Sequence, residues 1–362
     1  MQDHEEFGLD WCYGRLMKRT WSLDVRLTRP AWLEKRPALE AVTWQSMVGR
    51  LKRRQVAGLA ALFVTSEGVG VVHVERQGQE APCVRVCAFQ TVARGQAPGK
   101  VAQTLIKSQK LEKARFVGVL DRSAYALFPA EPPDLPREEW ATAMKWRIKD
   151  QIQFPVTQAV LELFDMPGGG GAGSESGRVY VAAAKDGEIR RHVQLFVDAG
   201  VQLSVLDIPE LALLNLTRWM PEAREGMVLL HLESQSGLVM VIKDGQFYLA
   251  RRMESGAEAL EREGGAGLAN SPFLDRVALE VQRTMDYYES HFGQGAVGML
   301  QIAPLPVAVP GVREGLAERL GMRVKYMNLR EILTISDTVA DGDLARALLA
   351  MGAAVRDMDP GV

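Results

Sequence analysis

The chain has 362 residues, of which 47% are hydrophobic and 24% charged, the composition of an ordinary globular protein. This length exceeds what one hydrophobic core usually covers, so two domains are expected. Lys and Arg number 43 against 45 Asp and Glu, and the formal net charge is −2. Such a balance argues against nucleic-acid binding driven by bulk electrostatics.

The three cysteines, Cys12, Cys83 and Cys87, fit a reducing compartment better than a disulfide scaffold. The pair at 83 and 87 has no accompanying Cys or His pair, so no metal site is predicted. No apolar run approaches the roughly 20 residues that span a bilayer, and the acidic N-terminus does not resemble a secretory signal. We therefore expect a cytoplasmic protein that does not insert into the membrane directly.

Residues 1–50 stand apart from the rest of the chain. Trp11, Trp21 and Trp32 lie among charged residues with neither a helical nor an alternating period. This pattern predicts an irregular N-terminal extension. An alternative is that the natural chain begins at Met47, which would leave a short basic leader before the first strand.

Two later segments repeat one pattern, namely LAALFVTSEGVGVVHVER from Leu59 and VLLHLESQSGLVMVIKDGQFYLARR from Val228. Each is an apolar β-rich run, a short polar turn with glycine, and a second β-rich run, which is typical of a tight hairpin. The recurrence predicts a duplicated domain with a cleft between the halves. In folds of that kind such hairpins hold a nucleotide phosphate, so the residues of the two turns decide the chemistry.

Further elements follow the first hairpin. The sequence predicts a strand ending at Thr91, a helix from about Val101 to Ala114 and a strand ending at Leu120. The prolines from Pro129 to Pro136 predict an extended connection. A helix then runs through REEWATAMKWRIKDQIQFP and ends before Pro155.

That helix has two different sides. The apolar residues at spacing four predict a core-facing side, formed by Trp140, Met144, Ile148 and Ile152. Trp146 lies on another side with Lys145 and Lys149 and is a candidate contact surface.

The remaining elements alternate between strand and helix. Strands AVLELFDM and RVYVAAA flank a glycine-rich loop, a helix runs from Asp186 to about Ala199 and ends at Gly200, and the strand VQLSVLDI and the helix LALLNLTRW follow. After the second hairpin come a helix from about Phe273 to Phe292, strand VGMLQIA, helix VREGLAERLG, strand MRVKYMN and a final helix LARALLAMGAAVR. The alternation predicts an α/β protein with mixed sheets.

The order of several segments resembles one family. IQFPVTQAVLELFDM is followed by VYVAAAKDGEIRRHVQLFVDAGVQLSVLDIPELALLNL, the second hairpin, EVQRTMDYYES, VAVPGVREGLAERLGMRVKYMN and ALLAMGAAVR. This order is similar to that of the PilM/MshI family of type IV pilus biogenesis proteins, most closely its MshI branch in MSHA pilus assembly. The similarity covers roughly residues 55–357.

The resemblance implies the actin, Hsp70 and sugar-kinase superfold with two related mixed-sheet lobes. The first lobe would span 51–225 with an inserted subdomain at about 115–185. The second would span 226–335 with a helical insertion at about 254–292, and residues 336–362 would form a helix returning to the first lobe and a polar tail. The resemblance also implies a non-enzymatic scaffold that docks onto the cytoplasmic tail of a PilN-like bitopic inner-membrane protein and so joins the pilus assembly platform.

In the resembling family each hairpin turn begins with aspartate, an apolar residue and glycine. Here Leu62 and Val64 occupy the aspartate and glycine positions of the first turn, and His231 and Glu233 those of the second. A third element, a glycine pair after strand VGMLQI, is replaced by Ala303 and Pro304. ATP and Mg²⁺ are therefore not expected as cofactors. If the nucleotide site is retained, its residues would be Thr65, Ser66, Glu67, Gly68, Glu233, Ser234, Ser236 and Gly237.

Two other hypotheses about the function remain. One is an active ATPase of the same superfold, and the other is a GspL-like component of type II secretion. For the scaffold reading, the candidate partner-binding residues are Trp140, Lys145, Trp146, Lys149, Phe154 and Pro155, although a tail that adds to a sheet edge would leave little trace in sequence.

Overall fold

A computed structural model describes residues 56–65, 68–76, 81–167, 177–264, 268–336 and 339–356. The predicted N-terminal extension, Ser66, Glu67 and most of the glycine-rich loop lie outside these residues. The strands are β1 (Leu59–Val64), β2 (Gly68–Glu75), β3 (Cys83–Thr91), β4 (Arg115–Val119), β5 (Tyr125–Ala130), β6 (Ala159–Asp165), β7 (Val179–Lys185), β8 (Gln202–Asp207), β9 (Met227–Leu232), β10 (Gly237–Lys243), β11 (Gln246–Met253), β12 (Met299–Ile302), β13 (Arg323–Tyr326) and β14 (Thr334–Ile335).

The helices are α1 (Pro98–Ser108), α2 (Trp140–Arg147), α3 (Asp186–Ala199), α4 (Pro209–Thr217), α5 (Glu222–Glu225), α6 (Ala257–Gly264), α7 (Pro272–Phe292), α8 (Val312–Leu320), α9 (Leu329–Ile332), α10 (Asp341–Arg346) and α11 (Leu348–Ala354). Within the described part of the chain, no helix is long and apolar enough to cross a bilayer.

The first sheet has the strand order β14-β3-β2-β1-β4-β8. Strands β1, β2 and β3 form an antiparallel meander, whereas β4 and β8 continue the sheet in parallel. Both faces of β1 are buried, since Ala61 and Phe63 belong to one core cluster and Ala60 and Leu62 to another. This accounts for the near-continuous apolar sequence of that strand. Helices α1 and α3 cover the second cluster's face.

The second sheet repeats this plan with the order β11-β10-β9-β12-β13. An antiparallel meander is again followed by two parallel strands. Its outer face packs on α7, whose Phe273, Val277, Val281 and Tyr288 are fully buried along one side. The predicted pair of hairpins therefore begins two sheets of related topology.

A smaller antiparallel sheet, β5-β7-β6, lies between β4 and α3 in the sequence. Met144 of helix α2, together with Ile148 and Ile152 just after the helix, covers it, as the spacing predicts. Trp140, the fourth residue of the predicted core side, is only partly buried and does not belong to this core. The sequence reading missed β5, because Pro129 argued for a plain connection. Pro129 is tolerated since β5 is an edge strand that pairs only with β7.

Three helix predictions are wrong at their ends. Helix α1 begins at Pro98, a residue favoured in a first turn, and ends before Lys110, whose φ is +58°. Helix α2 ends at Arg147 instead of continuing to Pro155. The C-terminal helix is two helices, α10 and α11, separated at Ala347 where the chain packs against Gly70 of β2.

The space between the two large sheets is filled by α4 and α11. Every residue of α11 is buried, and the same core cluster contains Leu211, Leu213 and Leu216 of α4 and Leu229 and Met240 of the second sheet. At the crossing, a Cβ on Gly352 would lie 2.0 Å from the Ala212 carbonyl oxygen. Asn215 Nδ2 donates to the Gly352 carbonyl oxygen at 3.1 Å. The two lobes are thus joined by one continuous core.

We predict that Gly352→Ala destabilises the protein by about 3 kcal/mol or more, because the backbone of α4 cannot yield space for a methyl group. Urea unfolding of the two proteins measures the difference. Gly342→Ala is the matched control, since Gly342 lies in α10 with no atom within 4 Å of the added Cβ, and it should be neutral or stabilising by up to about 1 kcal/mol. Equal stability of the two variants would contradict the close crossing.

Candidate functional site

The two hairpin turns face each other across a cleft of about 190 Å³. The first hairpin contributes Phe63 and Thr65, and the second contributes residues 231–236. The remaining lining residues are Asp121, Pro306, Ala345, Arg346 and Leu349. The cleft therefore lies where the two sheets and the central helices meet.

Both turns are closed in the same way. The Thr65 amide donates to the Gly68 carbonyl oxygen at 2.9 Å, and the Glu233 amide donates to the Ser236 carbonyl oxygen at 2.9 Å. In the first turn the Gly68 amide also donates to Thr65 Oγ1 at 3.2 Å. The first amide of each turn is therefore already engaged within the turn.

The second turn is held by the start of α6. The Ala257 amide donates to the Glu233 carbonyl oxygen at 2.7 Å, and the Glu258 amide donates to the Ser234 carbonyl oxygen at 3.0 Å. Gly256 allows this approach, since a Cβ there would lie 2.1 Å from the Glu233 oxygen. The amides of a helix N-terminus are thus used to fix the turn.

Arg122, which directly follows the loop after β4, lies beneath the second turn. Its side chain is 9% exposed, and its Nε is 3.6 Å from Glu233 Oε2. None of its guanidinium nitrogens makes a hydrogen bond to any residue that the structure describes. The same Glu233 oxygen accepts a hydrogen bond from Ser236 Oγ at 2.8 Å. Glu233 is therefore the counter-charge that compensates a buried cation.

His231, at the predicted aspartate position, is 4% exposed. Neither ring nitrogen has a hydrogen-bond partner among the described residues. Burial and, to a lesser extent, the nearby Arg122 charge hold the pKa of His231 well below its ordinary value. The imidazole is consequently neutral near pH 7.

Arg252 of β11 forms a second polar connection between the lobes. It donates to the carbonyl oxygens of Arg122 at 2.7 Å and Tyr125 at 3.2 Å. Its guanidinium also lies 4.5 Å from the centre of the Tyr125 ring and 3.5 Å from the Glu210 carboxylate. Glu210, on α4, is 1% exposed and also accepts a hydrogen bond from the Tyr125 hydroxyl. The buried carboxylate thus has a partner on each side of the cleft.

The structure brings several predicted site residues together. Thr65, Glu233, Ser234 and Ser236 line one cleft, while Gly68 and Gly237 begin the strands that follow the turns. Ala303 is fully buried. Ser66 and Glu67 lie outside the described residues.

Sequence reasoning missed Asp121, Arg122 and Arg346. A signal existed for the first two, since DRS follows a buried strand directly and residues at such strand ends commonly reach a cleft. Arg346 had no comparable signal.

The candidate partner-binding residues lie on α2 and the turn that follows it, and none of them lines the cleft. Trp146 is 66% exposed, the largest exposed fraction of any large apolar side chain that the structure describes. Lys149 and Pro155 are also exposed. Phe154 packs partly against the core under α2, and Trp140 Nε1 donates to the Leu135 carbonyl oxygen at 2.8 Å. Among these candidate residues, Trp146 is therefore the large apolar side chain most accessible to a partner.

Protein-family models give no match to this sequence, and no curated protein matches it. A chain in the structure of a PilM–PilN type IV pilus biogenesis complex is similar to it, with a TM-score of 0.68 and 18% identity over 83% of this chain and 98% of that chain. The chain has the actin-like fold. This confirms the predicted bilobal α/β architecture.

Two further structures cover similar shares at lower similarity. A Bacteroides thetaiotaomicron protein with an actin-like ATPase fold has a TM-score of 0.46 and 8% identity over 83% of this chain and 99% of that one. The cytoplasmic domain of EpsL, an inner membrane component of the Vibrio cholerae type II secretion system, has a TM-score of 0.45 and 12% identity over 84% and 97%.

The lowered pKa of His231 predicts a pH effect on folding. A group whose folded-state pKa is depressed contributes stability above its unfolded pKa, and this is lost as the pH falls, because only the unfolded chain takes up the proton. We expect the free energy of unfolding of the wild type to fall as the pH drops below the ordinary histidine pKa, and His231→Leu to remove this part of the pH dependence. Urea unfolding at pH values above and below that pKa measures it. A His231→Leu profile that runs parallel to that of the wild type would contradict a neutral buried imidazole.

Proposed function

We propose that this protein is an actin-like scaffold of type IV pilus biogenesis. It docks onto the cytoplasmic tail of a PilN-like bitopic inner-membrane protein and so connects cytoplasmic components to the assembly platform. The observation that carries the proposal is the similarity to a chain of the PilM–PilN complex over 98% of that chain's length. The finer assignment, an MshI-like role in MSHA pilus assembly at the cytoplasmic face of the inner membrane, is supported by the order of the sequence segments.

We further propose that the cleft binds no magnesium nucleotide and that the protein is not an enzyme, since the groups it presents do not fit such a ligand. Phosphate recognition needs free backbone amides at glycine-containing turns, and Mg²⁺ needs carboxylates that can face it. Here the first amide of each turn is engaged, and Glu233 faces Arg122. Asp121 caps the following turn by accepting from the Ser123 amide at 2.8 Å.

For the partner-binding surface we propose α2 with its exposed Trp146. A large aromatic side chain held on a rigid helix and flanked by Lys145 and Lys149 has the composition of a binding hot spot. The surface belongs to the small sheet and is separate from the cleft, so partner binding does not require the cleft to be filled.

The docking proposal is tested with a peptide of the cytoplasmic tail of a PilN-like inner-membrane protein from the same organism. We expect Trp146→Ala to weaken binding at least tenfold, about 1.4 kcal/mol, as measured by fluorescence anisotropy. Reversing the charge at both Lys145 and Lys149 should weaken it further at low salt.

The matched control is Val197→Ala, which removes another strongly exposed apolar side chain, 61% exposed, from α3. It should bind like the wild type. No binding of the folded wild type would refute the docking proposal. Binding unchanged by Trp146→Ala would refute only the assignment to α2.

The main alternative, an active ATPase of the same fold, is favoured by the matched turns and the cleft between them. Isothermal calorimetry with Mg-ATP separates the two readings. We expect no heat of binding at micromolar nucleotide, because the Thr65 and Glu233 amides are engaged within their turns and Glu233 faces Arg122. Micromolar binding that requires Mg²⁺ would favour the ATPase.

A further inference from the structure

The Arg122–Glu233 pair connects the first lobe to the second hairpin turn at the cleft. We propose that this ion pair acts as a built-in lobe-to-lobe clasp, which takes the place of a magnesium nucleotide and keeps the cleft closed without any ligand. The clasp is a property separate from the proposed docking role, because it concerns how the two lobes are held together and does not depend on the partner.

The charges carry the first step. A magnesium nucleotide would place a cation between groups of the two lobes, and here the guanidinium of Arg122 in the first lobe supplies a fixed positive charge beside Glu233 of the second. Because the Arg122 side chain is nine-tenths buried and its guanidinium makes no hydrogen bond to a described residue, Glu233 at 3.6 Å is its principal electrostatic compensation. In a low-dielectric site this attraction is much stronger than at the surface.

The second step is that Glu233, the carboxylate of the ion pair, cannot easily move away from Arg122. The Glu233 backbone is fixed by the Ala257 amide, and its carboxylate by Ser236 Oγ. An incoming phosphate would meet this carboxylate before reaching Arg122, and like charges repel. The neutral imidazole of His231 beside it offers no compensating charge.

Arg252 provides a separate link between the two lobes. Arg252, in the second lobe, donates to the Arg122 carbonyl oxygen. It therefore fixes the backbone of the first-lobe residue whose side chain is the buried cation. Contacts from the second lobe thus position both Arg122 and Glu233.

Removing Glu233 and removing Arg122 should destabilise the protein by different amounts, and this difference gives a specific test. Glu233→Gln leaves Arg122 buried without a counter-charge, whereas Arg122→Met leaves a carboxylate that is 27% exposed and still bonded to Ser236. We expect Glu233→Gln to lower the melting temperature by roughly 5 °C and Arg122→Met to lower it much less. The double variant should melt near Arg122→Met, since it has no orphaned charge. Gln235→Ala, in the same turn and exposed, is the matched control and should melt like the wild type.

Hydrogen exchange reports on the clasp directly. In Glu233→Gln, we expect faster exchange in peptides covering 119–126 and 230–237, on opposite sides of the cleft, with α1 and α7 unchanged. Millimolar Mg-ATP should leave the wild-type melting temperature unchanged.

Three results would overturn the proposal: a Mg²⁺-dependent rise of the wild-type melting temperature with ATP, a Glu233→Gln variant that behaves like Gln235→Ala, or a double variant as unstable as Glu233→Gln. If Glu233→Gln does not fold, a folded double variant would itself support the clasp.

Discussion

The close crossing of α4 and α11 determines how the two lobes face each other. Gly352 lies against the backbone of Ala212, and both helices are buried between the large sheets. A protein interior packed at this density has few alternative arrangements, because any rotation of one helix would drive atoms together or open a void. The angle between the sheets, and therefore the cleft, follows from this contact.

The charged groups near the crossing reinforce one arrangement. Asp207 at the end of β8 pairs with Arg356 just after α11 at 3.3 Å, and both are almost completely buried. Glu210 pairs with Arg252 from the opposite lobe. Buried pairs gain little net stability over apolar contacts, but breaking one is costly, so they favour the arrangement that keeps them together.

The parts of the fold that could be predicted from sequence are those with a local cause. The two hairpins, α3 with its left-handed Gly200, and the buried side of α7 all follow from patterns within one element. Strand β5 could not be recognised, because Pro129 is acceptable only on a strand whose outer edge is unpaired, which is a tertiary property. The role of Arg122 depends on Glu233, 111 positions further along the chain, and no local pattern records that distance.

The small sheet that carries α2 is also attached to the second lobe. The rings of Phe164, Tyr180 and Phe247 lie 4.9 to 6.3 Å apart between their centres, and the Tyr180 hydroxyl donates to the Tyr248 carbonyl oxygen. A ligand shifts a conformation only by binding two states differently. Aromatic, ionic and helix contacts join the small sheet to the second lobe and to the first, so the surface of α2 is formed before any partner binds. Such a surface would suit the proposed scaffold role, because the entropic cost of ordering it is met when the chain folds.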